Sequence, residues 1–397
     1  MGNPLCMLLD LPEQEKAERG LVHTPREIWQ QPATWSKTYE RCRDRRAALR
    51  EILRQAGIGR GTTASPTVYL LGAGTSDYAG RALAPLLRQR WGCDVWAVPT
   101  TTLLTDFEDF HLTGREYLWI SFSRSGDSPE SAALLERALA QHREIRHVVI
   151  TCNQRGQMAQ LCSRYAGRAL ALVLDDAVND RGLAMTSSFS NMVVAGQCLA
   201  HLEDLAEFGD TVGQMVEAGR DFLPMAAEAA ATINALGCTR GCFVGAGALR
   251  AVADESALKV VELSAGKVTT MAETPLGLRH GPISSVDGNT MFVAFLSNDT
   301  RRRGYELDLL REIDRKRLGR VRVVVTAQSG DDASSLTDYC LSLDCAADLH
   351  DHYRPALDVI LGQLIGLFAS MRYGLKPDQP SPNGAISRVV SPIKLYS

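Results

Sequence analysis

The segment Ser123-Arg124-Ser125-Gly126-Asp127-Ser128-Pro129-Glu130-Ser131 follows an apolar run and sets hydroxyls at 123, 125 and 128 around one glycine. Pro129 falls where a helix would begin, the favoured place for proline. A helix N-terminus offers backbone N–H groups and the positive end of a dipole, and the hydroxyls add donors. The loop contains no lysine, so it suits a phosphate monoester better than a nucleoside triphosphate. The competing reading is a serine-rich turn in which Ser128 caps the helix. A second loop, Gly72-Ala73-Gly74-Thr75-Ser76, also leaves an apolar run and enters a helical pattern. Asp77 stands where a dinucleotide fingerprint needs its third glycine, and Gly80 comes too late, which disfavours nicotinamide binding. Thr75 and Ser76 instead add hydroxyls to the same cradle.

Candidates for proton transfer lie further along the chain. Glu255, Lys259 and Glu262 are spaced i, i+4, i+7 and share one helix face. Such a stripe is either solvated and held by an i,i+4 pair, or partly buried, with Val260, Val261 and Leu263 raising the pKa of Glu262. His280, in Arg279-His280-Gly281-Pro282, is either a proton shuttle in a loop or the cap of a turn. His350-Asp351-His352 reads as a solvated loop rather than a metal site. The ten cysteines contain no C-x-x-C, and neither close pair (Cys238/Cys242, Cys340/Cys345) has histidine at zinc spacing. They read as buried free thiols of a reducing compartment.

The chain repeats the scaffold that must position these groups. Val68-Tyr69-Leu70-Leu71-Gly72-Ala73-Gly74 is answered by Cys242-Phe243-Val244-Gly245-Ala246-Gly247, with Gly72 and Gly245 offset by 173 residues. Leu118-Trp119-Ile120-Ser121-Phe122 is answered by Met291-Phe292-Val293-Ala294-Phe295 at the same offset, and Val148-Val149-Ile150-Thr151 by Val323-Val324-Val325-Thr326 at 175. Short apolar runs without alternation suit strands buried on both faces. Helical patterns lie between them over 78–91, 129–142, 192–208, 249–265 and 305–318. Strand and helix in alternation predict an α/β fold of two tandem domains, each a doubly wound, flavodoxin-like parallel-sheet sandwich. Ligands then sit beyond the carboxyl ends of the strands. The divisions are a helical arm over 1–50, a first domain over 51–215, a second over 216–376 and a tail over 377–397 rich in proline (Pro380, Pro382, Pro392). In the second copy the serine loop is replaced by Leu296-Ser297-Asn298-Asp299, so one copy keeps the anion loop and the other does not.

Composition bounds the function classes. The chain has 397 residues, enough for two to three domains at ~150 each. Hydrophobic residues at 45% and charged residues at 22% are those of a globular protein. A net charge of −3 gives no reason to expect a nucleic-acid partner. Asp10, Glu13, Glu15 and Glu18 have the wrong charge for a secretory leader. The apolar segment 356–369, interrupted by Asp358 and Gln363, is too short to span a bilayer, so no membrane and a cytoplasmic location are expected.

Taken together, these residues resemble the sugar isomerase (SIS) domain proteins. Among them the chain is most similar to the galactosamine-6-phosphate deaminase/isomerase family AgaS, also labelled tagatose-6-phosphate ketose/aldose isomerase. The resemblance runs through Gly-Ala-Gly-Thr-Ser at 72–76, Val-Pro-Thr-Thr at 98–101 and the serine loop at 121–131. It continues through Asp-Arg-Gly-Leu-Ala-Met-Thr-Ser-Ser at 180–188, Glu-Ser-Ala-Leu-Lys-Val-Val-Glu-Leu-Ser-Ala-Gly-Lys at 255–267, Arg-His-Gly-Pro at 279–282 and Pro-Ser-Pro-Asn-Gly-Ala-Ile-Ser-Arg-Val-Val at 380–390. Asn179 departs from the pattern, where a histidine is expected before Asp-Arg-Gly.

The resemblance implies that Thr75, Ser76, Ser123, Ser125, Gly126 and Ser128 hold a sugar phosphate, with Gly74, Arg124, Thr186, Arg279 and Arg388 as further substrate contacts. Glu262 matches the glutamate that moves a proton between C1 and C2 in the isomerase half of glucosamine-6-phosphate synthase. Lys259 matches a lysine one turn earlier, and His280 the ring-opening histidine, which in that relative comes from the neighbouring subunit. A homo-oligomer, at least a dimer, follows. The implied reaction takes a small phosphorylated amino sugar, D-galactosamine 6-phosphate, to D-tagatose 6-phosphate and ammonia. It needs no cofactor or metal, since no electron leaves the substrate. A plain phosphosugar isomerase, a glucosamine-6-phosphate deaminase and a non-catalytic phosphosugar sensor are the competing readings.

Overall fold

The computed structural model describes residues 2–59, 65–328, 332–391, 394 and 396; Pro392 of the tail lies outside the described residues. Strands β1 (Thr67–Gly72), β2 (Val95–Pro99), β3 (Tyr117–Ser123), β4 (Ile145–Thr151) and β5 (Ala169–Val173) form one sheet in the order β2-β1-β3-β4-β5. Strands β6 (Arg240–Gly245), β7 (Thr269–Glu273), β8 (Thr290–Phe295), β9 (Val321–Thr326) and β10 (Tyr339–Ser342) form a second, ordered β10-β9-β8-β6-β7. Every pairing is parallel. Read from β7, the second sheet has the strand order of the first, the flavodoxin-like order of a doubly wound α/β fold. β1, β3 and β8 are buried along their whole length, which is why their sequences run apolar without alternation.

The chain divides into two units. One comprises residues 33–180, 187–212 and 386–397 and holds the first sheet; the other comprises 1–32, 181–186 and 213–385 and holds the second. The repeat extends to backbone detail. Gly74 (φ 56°, ψ −126°) and its counterpart Gly247 (φ 58°, ψ −128°) each precede the first residue of a helix. A Cβ on Gly72 would lie 2.2 Å from the Ser76 carbonyl carbon, and one on Gly245 would lie 2.3 Å from the Leu249 carbonyl oxygen. Both copies need a bare backbone where the strand hands over to the helix.

Helices Thr75–Trp91, Pro129–Gln141, Ala248–Leu263 and Thr300–Arg315 occupy the expected places. The pattern over 192–208 is two helices instead, Ser187–Ala200 and the 31-residue Leu205–Ala235. The break between them is a turn in which Asp204 receives Arg90 through both carboxylate oxygens (2.7 Å each). The helix Pro355–Arg372 is longer than the apolar segment suggested. By length and composition alone it could cross a membrane, but 89% of it is buried. Its two interrupting polar residues are satisfied within the unit: Asp358 accepts from Arg354 (2.6 Å), and Gln363 accepts from Gln31 (2.8 Å).

His147 on β4 is fully buried, its ring edge-on to Trp119 at 5.5 Å. Burial, with Arg168 and Arg146 nearby, pushes its pKa down from 6.5 to about 3. As pH falls below 6.5 the unfolded chain takes up a proton that the folded chain refuses, so stability is lost through that window and is intact above it. Urea unfolding at pH 5 should show His147 costing about 2 kcal/mol relative to pH 7. His147→Leu should remove that increment. Equal acid losses in both proteins would show that the buried neutral ring is not its source.

Candidate active site

The serine loop leaves β3 at the point where the strand order of the first sheet reverses, between β1 and β3, the crevice where ligands bind in such sheets. Ser123 is buried at the end of β3, and its Oγ accepts the Gly126 N–H (3.0 Å). Ser125 Oγ accepts the Asp127 N–H (3.2 Å). Each of these hydroxyls therefore keeps a proton to donate. Gly126 adopts φ 67°, a conformation that glycine takes without strain. The next connection pins the loop: Asn153 donates to the Ser125 carbonyl (2.8 Å), and the Gln157 N–H donates to Asp127 (2.9 Å). Ser128 occupies the N-cap position of Pro129–Gln141, yet its hydroxyl makes no cap bond and donates to Glu130 (2.8 Å). The simple capping reading of the serines therefore fails for Ser128. Thr75 and Ser76 lie buried in the first turn of the neighbouring helix, after Gly74. An anion at these two helix starts gains up to ~2 kcal/mol from each dipole in a partly buried site.

The corresponding place in the second sheet is already filled. Beyond β8, the carboxylate of Asp351 accepts from the Asn298 N–H (2.8 Å), from Ser297 Oγ and from Arg302 (3.3 Å). Asp351 is 2% exposed and His352 7%, so His350-Asp351-His352 is not the solvated loop its composition suggested. A protein carboxylate thus bonds the loop after β8, the counterpart of the serine loop after β3. Glu306, held up at about 7 by burial, accepts the Ser297 N–H (2.8 Å) behind it. The sequence showed that the second copy had lost the Ser/Gly pattern and gained an acid. It did not show that an acid more than fifty residues downstream would close the cradle.

The tail supplies a third component. Arg388 donates to the Asp180 carbonyl (2.8 Å) and to Asn179 Oδ1 (2.6 Å), and Arg124, itself buried, donates to the Arg388 carbonyl (2.8 Å). Asn179, the departure from the family pattern, is thus the acceptor for the tail arginine. Asp180 receives the N–H groups of Ser187 and Ser188 (3.1 and 2.9 Å) and so caps the helix Ser187–Ala200. Thr186 is fully buried, its carbonyl accepting from Gln363 (3.3 Å).

In the other unit the charged stripe is not solvated. Glu255 and Lys259 are fully buried. Lys259 Nζ lies 3.4 Å from Glu255 Oε1 and 2.5 Å from Glu262 Oε2. The cause is close helix packing. Gly362 and Gly366 of Pro355–Arg372 lie against this face, where a Cβ would come within 2.2 Å of Ser256 Oγ and 2.8 Å of the Lys259 carbonyl oxygen. The side chain of Glu262, at the last turn, keeps 26% exposure. It is the one carboxylate of the stripe that solvent or a substrate can reach.

His280 is exposed on the turn after the short helix Pro275–Leu278. Its neighbour Arg279 pairs with Glu312 (2.8 Å). Glu262 stands at the last turn of the helix Ala248–Leu263 and His280 on the connection from β7 to β8. Arg250 bonds Glu273 (2.7 Å) at the carboxyl end of β7, and the Ala257 carbonyl accepts from Thr270 (2.8 Å) near its start. The helix therefore runs antiparallel to β7. Glu262 lies beyond the strand's amino end, about 18 Å along the helix from Arg250.

The first unit is a doubly wound sheet with a hydroxyl-lined loop at its switch point, and residues 63–202 match the SIS domain family. A Streptomyces coelicolor protein, provisionally named D-galactosamine-6-phosphate deaminase AgaS, is 38% identical over 380 residues, covering 95% of this chain and 96% of its own. The D-galactosamine-6-phosphate deaminase AgaS of Escherichia coli is 33% identical over 378 residues, covering 94% and 95%. The solved tagatose-6-phosphate ketose/aldose isomerase from Escherichia coli superposes with a TM-score of 0.82 at 32% identity, covering 90% of this chain and 95% of that one. The chain belongs to the AgaS family of SIS-domain proteins.

Proposed function

We propose that the protein is a cytoplasmic deaminating isomerase that converts D-galactosamine 6-phosphate and water into D-tagatose 6-phosphate and ammonia. The observation that carries this reading is the intact serine loop at the switch point of the first sheet, in a chain 33–38% identical to AgaS deaminases over nearly its full length. The phosphate docks at Thr75, Ser76, Ser123, Ser125, Gly126 and Ser128, giving binding energy remote from the reacting carbons. Gly74, Arg124, Thr186, Arg279 and Arg388 complete the substrate surroundings. We read 51–215 as the phosphate-binding domain, 216–376 as the catalytic one, 1–50 as an arm and 377–397 as a tail closing on Arg124 through Arg388.

His280 opens the sugar ring by moving a proton between O5 and O1. Glu262 takes the C2 proton and returns it to C1, so C2 is oxidised, C1 is reduced and the sum is redox-neutral. Water then hydrolyses the C2 imine, releasing ammonia, which makes the overall reaction a C–N hydrolysis joined to an aldose–ketose isomerisation. Lys259 touches Glu262 and is a positioning residue for it. We read the assembly as a homo-oligomer in which each site takes His280 from the neighbouring subunit. The ten cysteines form no disulfide, which supports a reducing compartment.

The deciding experiment is ammonia release from galactosamine 6-phosphate, glucosamine 6-phosphate and their N-acetylated forms. The highest kcat/KM should fall on galactosamine 6-phosphate. Preference for the gluco epimer would reassign the substrate. Ketose formation without ammonia from any amino sugar would leave a plain isomerase.

A further inference from the structure

We propose that His111, His142 and Glu144 form a binding site for a borderline divalent cation of the zinc class, distinct from the sugar-phosphate site. The three residues come from two connections, at the amino ends of β3 and β4. His111 closes the short helix Phe107–Phe110, His142 closes Pro129–Gln141, and Glu144 precedes β4. The Tyr117 N–H that opens β3 donates to the Glu144 carbonyl (3.2 Å). The serine loop follows the other end of β3, about 20 Å away along the strand.

Both imidazoles address the same oxygen. His111 Nε2 lies 2.8 Å and His142 Nδ1 3.1 Å from Glu144 Oε1, and ligand atoms of the three residues all lie within 4.8 Å of one another. Tetrahedral zinc with bonds of about 2.0–2.2 Å needs donors about 3.3–3.5 Å apart, so the donors need only spread slightly to admit an ion. The rings are already held by packing. His111 is stacked on Phe107 (5.1 Å, 22°) and on Tyr117 (5.2 Å, 27°), and His142 lies 4.8 Å from Phe107. Rigid, pre-aimed ligands lose little freedom when they bind. Two imidazoles and one carboxylate are a zinc-class donor set, whereas calcium and magnesium require oxygen ligands. The side chains keep 12%, 19% and 32% exposure, which leaves a face open to water as the fourth ligand.

The test uses the full chain, stripped of metal and titrated with Zn²⁺ alone against a chromophoric chelator, then with Co²⁺. One equivalent should bind, with a rise in melting temperature. Affinity should fall at least tenfold in Glu144→Gln and in His142→Gln. The Co²⁺ adduct should show visible ligand-field absorption without a thiolate charge-transfer band. Glu144→Gln keeps the side-chain shape, so it decides the matter if a histidine variant folds poorly. The proposal is overturned if the chain binds no zinc, if both variants bind as the parent does, or if a thiolate band places the ion at the exposed Cys345. None of these readouts depends on the sugar reaction.

Discussion

Replacing Glu262 by glutamine should lower ammonia release from galactosamine 6-phosphate by at least about a hundredfold, the lower range for losing a general base. Phosphosugar affinity should stay within a few-fold if, as proposed, the serine loop holds the phosphate. The amide still accepts the Lys259 hydrogen bond, so the helix end is undisturbed, but it cannot take the C2 proton. Turnover within about tenfold of the parent would remove Glu262 from the role of base. The same variant tests whether His280 comes from a neighbouring subunit. His280→Asn should be inactive alone, and so should Glu262→Gln. If each site draws its histidine from a second subunit, mixing the two and letting subunits exchange forms hybrid dimers with one intact site. About a quarter of the parent activity should then return for random pairing in a twofold dimer. No recovery, with exchange verified, would place both residues of one site on one chain.

The largest expected effect on stability is at Lys259. Lys259→Met keeps the volume of the stem but leaves the fully buried Glu255 without its ammonium partner. Breaking a buried pair from one side typically costs about 3–5 kcal/mol, because the remaining charge stays desolvated. Urea unfolding at pH 7 should show that loss. The double variant Lys259→Met/Glu255→Gln should recover most of it, since no buried charge is then left alone. A loss below about 1 kcal/mol in the single variant would mean that the pair contributes nothing net. Because Lys259 also meets Glu262, the double variant separates two roles. If it folds stably yet turns over slowly with a displaced pH profile, Lys259 acts on Glu262 and not only on the fold.

Residue types and spacing alone determined much of this protein. The apolar strand runs and the 173-residue offset between Gly72 and Gly245 implied two copies of one α/β unit, because strands buried on both faces must be apolar throughout. The serine loop was legible because its parts are local: strand end, glycine and helix start lie within nine residues. The switch point added its place in the sheet, not its identity. What tertiary structure decided concerns groups brought together from far along the chain. The charged stripe Glu255–Lys259–Glu262 read as either a solvated or a partly buried face, and the bare flank of Gly362 and Gly366 on another helix decides for burial. Asp351 filling the second cradle has no local signal, since its partners Ser297 and Asn298 lie more than fifty residues away. The His111–His142–Glu144 cluster has none either, because its ligands follow no zinc spacing and meet only where two connections pass beneath the same sheet. Local pattern specifies elements through propensity and periodicity. Which charges are buried, paired or left open depends on which surfaces pack together, and that is a property of the folded chain.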